Sequence, residues 1–164
     1  MNLTQFNQAS ADEAQRSIAH CVALPEWAAR LTDARPYVSL AELLKQADSV
    51  AQQWDSTALM RALSAHPRIG ERAAGGGKEA AMSGNEQALV NSADAELARA
   101  LRAGNADYEQ RFGRVFLIRA KGRSGEQILA ELQRRLNNDM QQEEREALDQ
   151  LREITLLRLQ EAFR

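Results

Sequence analysis

Four serines punctuate this chain at the head of runs rich in helix-forming residues, each with Glu or Gln three positions on. They are Ser10 with Glu13, Ser39 with Glu42, Ser83 with Glu86 and Ser124 with Gln127. At that spacing the serine oxygen accepts an orphan N–H of the first helical turn, and the Glu or Gln reaches back to the N-cap amide. Any fold must therefore accommodate helix starts near Ala11, Leu40, Gly84 and Gly125. Other helices follow from pattern. Pro25 suits a first helical turn and opens a short helix over 25–32. Asp55 or Ser56 caps another over 56–65, which Pro67 ends. A long helix is expected over 93–111, and Asp139 caps a last one over 140–163. With aromatics at 5% and Ala, Leu, Glu, Gln and Arg abundant, helix is the favoured currency. The expectation is an all-α, single-domain helical bundle of about seven to nine helices.

Two stretches break the pattern. Residues 70–77 carry four glycines and read as a loop. Val115-Phe116-Leu117-Ile118 is apolar but too short for a core helix, and no strand partner is evident. It reads as an extended buried segment whose backbone must find hydrogen-bond partners, a ligand among the options. Trp27 and Trp54 read as core anchors. His20 and Cys21 read as structural residues of the first long helix, and Lys121-Gly122-Arg123 as a solvated turn.

Several function classes drop out. A formal charge of −2 argues against a nucleic-acid binder. Cys21 is the only cysteine, so no disulfide forms within the chain and a reducing compartment fits. Neither HExxH nor a paired-Cys pattern surrounds His20 or His66, so no metal site is expected. Nothing approaches the roughly 20 apolar residues of a membrane span, and no leader pattern follows Met1. The chain reads as cytoplasmic, without membrane or nucleic-acid partners.

Three places can carry chemistry. His66 closes a helix ahead of Pro67. Histidine moves protons near neutral pH, though a helix-end His is also favoured simply by the dipole. Ser83, Glu86 and Gln87 face one way on a helix and offer a hydroxyl, a carboxylate and an amide. Ser83 and Glu86 also make an ordinary capping box, which leaves Gln87 unexplained. Arg158 continues one edge of the apolar face formed by Leu148, Leu151, Ile154 and Leu157. A guanidinium there needs a partner, either a protein carboxylate or a substrate carboxylate. Taken alone, these residues would also suit a helical interaction module.

Taken together they resemble the family of 2-oxo-4-hydroxy-4-carboxy-5-ureidoimidazoline (OHCU) decarboxylases. Phe6-Asn7, Pro25-Glu26-Trp27 and Ala34-Arg35-Pro36-Tyr37 look like the family's N-terminal half. His66-Pro67-Arg68-Ile69-Gly70 is similar to its HP-x-(L/I)-G signature, and Ser83 through Gln87 to its S-x-x-E-Q element. Phe112-Gly113 with Phe116-Leu117-Ile118 resembles F-G-F-P-F-(V/I)-I, and Arg135-Leu136-Asn137-Asn138-Asp139 resembles R-L-x-N-D. The resemblance implies a homodimeric all-α enzyme that decarboxylates a small ureide to (S)-allantoin without a cofactor. It makes His66 catalytic, with Glu86 and Arg158 as partners. It assigns substrate contact to Pro67 and to the turn of Ser83, Gly84, Asn85, Glu86 and Gln87. Val115, Phe116, Leu117, Ile118 and Arg119 would add contacts, chiefly through backbone groups. This chain departs from the family where Arg114 and Val115 replace Phe-Pro and where Arg119 stands in place of a small residue. Those departures touch the pocket wall more than the chemistry.

Overall fold

The computed structural model describes residues 1–64, 66 and 95–163. Among the described residues there are eight α-helices, one 3-10 turn and no strand. In chain order the helices are α1 (Leu3–Gln8), α2 (Ala11–Ile18), α3 (Pro25–Asp33), α4 (Leu40–Ala51), α5 (Ser56–Leu63), α6 (Ala95–Phe112), α7 (Gly125–Arg135) and α8 (Met140–Ala162). None of them is long and apolar enough to cross a membrane.

The serine punctuation sets these starts. Ser10, Ser39 and Ser124 accept the N–H of Glu13, Glu42 and Gln127 at 3.2, 3.2 and 3.1 Å. Of these three, only Ser124 with Gln127 completes the reciprocal box. Glu42 turns instead to the Val38 N–H at 3.4 Å. Ser83 lies outside the described residues, as does the glycine-rich stretch 70–77. One start was not anticipated: Asn2 and Gln5 cap α1 reciprocally. Asparagine does the serine's work there, which a search for Ser or Thr alone passes over. Helix α5 stops at Leu63, short of the expected 65, because the Ser64 hydroxyl and N–H both turn back to the Arg61 carbonyl.

The structure divides into two compact units, residues 1–64 with 152–164, and residues 65–151. In the first, Phe6, Ile18, Trp27, Leu31, Leu43 and Leu59 are buried. Phe6 meets Phe163 edge-on with centroids 5.4 Å apart. Arg35 donates to the Phe6 and Ala9 carbonyls at 2.8 and 2.7 Å, capping the C-terminal end of α1, and to the Thr32 carbonyl at 2.8 Å. The side chain of Asn7 donates to the Tyr37 carbonyl and accepts its N–H, both at 2.9 Å. The N-terminal motif residues Phe6, Asn7, Arg35 and Tyr37 therefore tie α1 to the chain after α3.

Two expectations are corrected in this unit. His20 and Cys21 leave α2 for a buried 3-10 turn, with Sγ 3.8 Å from Nε2 of the histidine. Trp27 is a core anchor at 0% exposure, whereas Trp54 is only half-buried between α4 and α5.

The second unit is held by close packing of α6 on α7. Gly104 of α6 faces Leu132 of α7, and Gly125 of α7 faces Leu97 of α6. A Cβ at Gly104 would sit 2.5 Å from Leu132 Cδ2. Each glycine thus makes room for the other helix's leucine, and the two helices close on a shared core with Leu101, Tyr108, Phe112, Phe116 and Ile128.

Candidate active site

After α6 the chain turns at Gly113, whose φ of +72° favours glycine, and residues 115–120 run on without helix or strand. Phe116, Ile118 and Ala120 all join the core of the second unit. Leu117 is buried as well, at 4% exposure, but outside that core, so alternate residues face it, as in an extended chain. Residues 121–122 then form the expected exposed turn.

Extended backbone presents the N–H and C=O of alternate residues to opposite edges. One edge is occupied. The Leu117 carbonyl accepts from Arg135 Nη1 at 2.8 Å, and the Arg119 N–H donates to Gln150 Oε1 at 2.8 Å. On the other edge, the backbone groups of Phe116 and Ile118 make no hydrogen bond among the described residues. Both residues are nearly inaccessible, at 1% and 4% exposure. Buried backbone groups left without partners are rare in native proteins, so this edge keeps hydrogen-bonding capacity that the described residues do not use. The Phe116 side chain cannot supply the contact. Its ring lies between Tyr108, 5.1 Å away and edge-on, and the Arg135 guanidinium, 4.5 Å away.

Beneath the segment lies a polar network whose Arg135, Glu143 and Tyr108 are buried. Arg135 Nε donates to both Glu143 oxygens at 3.0 and 3.1 Å, and Nη2 closes the fork at 2.5 Å. Glu143 also accepts the Tyr108 hydroxyl and, at 3.2 Å, the Asn138 amide. Burial, and then the bond to the Glu143 carboxylate, push the Tyr108 phenol well above its ordinary value, so it stays a donor.

Of the other residues singled out from sequence, His66 is half-buried shortly beyond α5 and belongs to the second unit. Val115 and Arg119 are half-buried. Arg114, one of the departures, lays its guanidinium 6.0 Å from the Phe112 centroid. Arg158 is wholly inaccessible on α8, in the first unit, with Thr155 buried one turn before it. Pro67, Ser83, Gly84, Asn85, Glu86 and Gln87 lie outside the described residues. Among the described residues, no group of three His, Cys, Asp or Glu could hold a metal ion.

Residues 7–160 match the family model for OHCU decarboxylase. The chain belongs to the OHCU decarboxylase family. A 2-oxo-4-hydroxy-4-carboxy-5-ureidoimidazoline decarboxylase of Haloferax volcanii is 28% identical over 164 residues, covering 99% of this chain and 96% of its own. One from Amia calva is 29% identical over 164 residues, covering 98% and 94%. The uric acid degradation bifunctional protein of Bacillus sp. (strain TB-90) is 28% identical over the whole of this chain, which spans only 32% of that protein's length. Among solved structures, an OHCU decarboxylase crystallised in the presence of (S)-allantoin shares the fold with a TM-score of 0.75. It is 24% identical and covers 94% of this chain and 99% of its own. An (S)-allantoin synthase also gives 0.75 at 17% identity, covering all of this chain and 54% of its own.

Membership in the family explains why the R-L-x-N-D motif stood out, but its physical role was missed at the level of sequence. Arg135 opens that motif and grips the segment. A signal was present on α8: Glu143 is spaced four residues before Ala147 and eight before Leu151, so a carboxylate sits on the helix's apolar stripe. A charge in that position needs a buried cation.

Proposed function

We propose that this chain decarboxylates OHCU to (S)-allantoin, a step of urate breakdown, without a cofactor. The observation that carries the reading is end-to-end agreement with the family: the match over residues 7–160 and two decarboxylases aligned over nearly their full lengths. The unbonded backbone edge at Phe116 and Ile118 supports it from the side of geometry. A ureide offers amide N–H and C=O groups in alternation, complementary to such an edge.

Loss of CO2 leaves an electron pair that many decarboxylases pass to a cofactor. The OHCU ring has a C=N bond beside the carbon bearing the carboxylate, so the substrate carries its own sink. What remains for the protein is to hold the ring, stabilise the changing charge and move protons. In this reading Arg158 fixes an anionic or carbonyl edge with its planar fork. Ser83, Gln87 and the Phe116 backbone hold the ureido and ring amides, with Pro67, Gly84 and Asn85 shaping that turn. His66, oriented by Glu86, handles the C4 hydroxyl proton and the reprotonation that yields one enantiomer. The enzyme works as a cytoplasmic homodimer, so sedimentation should give about twice the 18.2 kDa chain mass.

General acid–base catalysis is worth about 10²–10⁴-fold, so His66→Ala should cut turnover of fresh OHCU by at least about a hundredfold. A loss below about fivefold would remove His66 from the chemistry. Arg158→Lys should raise KM sharply, because a point charge does not replace a planar fork. Wild-type saturation behaviour in that variant would remove Arg158 from the site.

A further inference from the structure

The segment 115–119 has neither a helix nor a ladder to define its path, so its conformation must come from what grips it. Among the described residues three contacts do so. The Arg135 guanidinium stacks on the Phe116 ring at 4.5 Å and donates to the Leu117 carbonyl at 2.8 Å. Gln150 takes the Arg119 N–H at 2.8 Å. Arg135 is itself immobilised, at 1% exposure, by the forked bond to Glu143. The two hydrogen bonds act on one edge, and the Phe116 and Ile118 backbone groups lie on the other.

We propose that Arg135 and Gln150 are positioning residues for the decarboxylation. They hold the inner edge of the segment so that the outer edge meets the substrate's ureido and ring amides in the right register. This rests on the decarboxylase reading above. Neither side chain is required to touch substrate; each acts through the backbone it holds. A loosened segment would still reach substrate, at the cost of ordering itself first, so the defect falls on binding more than on turnover.

The test is steady-state kinetics on freshly generated OHCU with Gln150→Leu, Gln150→Glu and Arg135→Lys, alongside thermal melts. Gln150 is half-buried, so its variants should fold. Leucine removes the acceptor and glutamate keeps one. Lysine keeps a charge for Glu143 but has no second arm for the Leu117 carbonyl. Gln150→Leu should raise KM about five- to tenfold, the worth of one hydrogen bond, with kcat nearly unchanged. Gln150→Glu should restore KM to within about twofold of wild type. Arg135→Lys should raise KM at least as much and also lower Tm. KM within about twofold of wild type in both Gln150→Leu and Arg135→Lys would overturn the proposal, whatever their Tm. Equal damage in Gln150→Leu and Gln150→Glu would also overturn it, by tracing the effect to packing. Should Arg135→Lys not fold, the Gln150 pair decides alone. A wild-type chain inactive on OHCU would overturn both readings; an active one with indifferent variants overturns only this one.

Discussion

Replacing Arg135 by Met takes the cation away from a carboxylate that water cannot reach. Glu143 is 0% exposed and Arg135 1%, so neither charge can trade its partner for solvent. Three of the bonds to Glu143 come from the guanidinium; Tyr108 and Asn138 supply the others. The Leu117 carbonyl loses its donor at the same time. Breaking a buried pair from one side costs about 3–5 kcal/mol, mostly the penalty of the charge left behind. In a chain of this size each kcal/mol is worth about 2–4 °C, so Tm should fall by about 6–20 °C. Glu143→Leu should be similarly damaging, because it strands the guanidinium. The double variant Arg135→Met/Glu143→Leu strands neither and should lose clearly less than the sum of the two. Urea denaturation followed by circular dichroism measures all four proteins. Single variants within about 1 kcal/mol of wild type, or strictly additive losses, would refute the claim that this is a coupled, desolvated pair.

Three further outcomes follow from the packing and the surface. Gly104→Val places a branched side chain where even a Cβ would sit 2.5 Å from Leu132, so overpacking should cost about 1–3 kcal/mol; an unchanged Tm would show that α6 and α7 are not closely packed. Ser124→Ala should cost about 1 kcal/mol by removing the N-cap of α7, checked by the same denaturation. The bond from Arg134, with help from Asn138, lowers the Glu146 carboxyl from an ordinary 4.5 to about 2. A depressed folded-state value gives stability that is complete above pH 4.5 and lost as pH falls toward 2. Glu146→Gln should flatten that acid slope, and parallel stability–pH curves for the two proteins would contradict the assignment.

Helix starts were legible because capping is local chemistry: Ser124, Ser39 and Ser10 each accept the expected N–H, though only Gln127 reaches back. Asn2 shows the limit of a rule written for two residue types. The extended run at 115–118 was legible by elimination, being too short for a helix and unpaired as a strand. What could not be read was how it is held. That depends on Arg135 and Gln150, 18 and 31 residues from the atoms they grip, and no local pattern records a bond between a side chain and a distant carbonyl. Trp54 illustrates the same point from the other side. Large apolar rings are core residues on average, but a position between two helices decides how deep one sits. His66 and Arg158 were singled out by residue type and setting, and the burial of Arg158 fits its place at the edge of the apolar face of α8.

The central claim is tested most directly by chirality. OHCU generated in situ and offered to the wild-type chain should release CO2 faster than it decays alone and give allantoin of a single optical sign, that of the S enantiomer. Racemic allantoin at the spontaneous rate, from a folded and concentrated sample, would contradict the account.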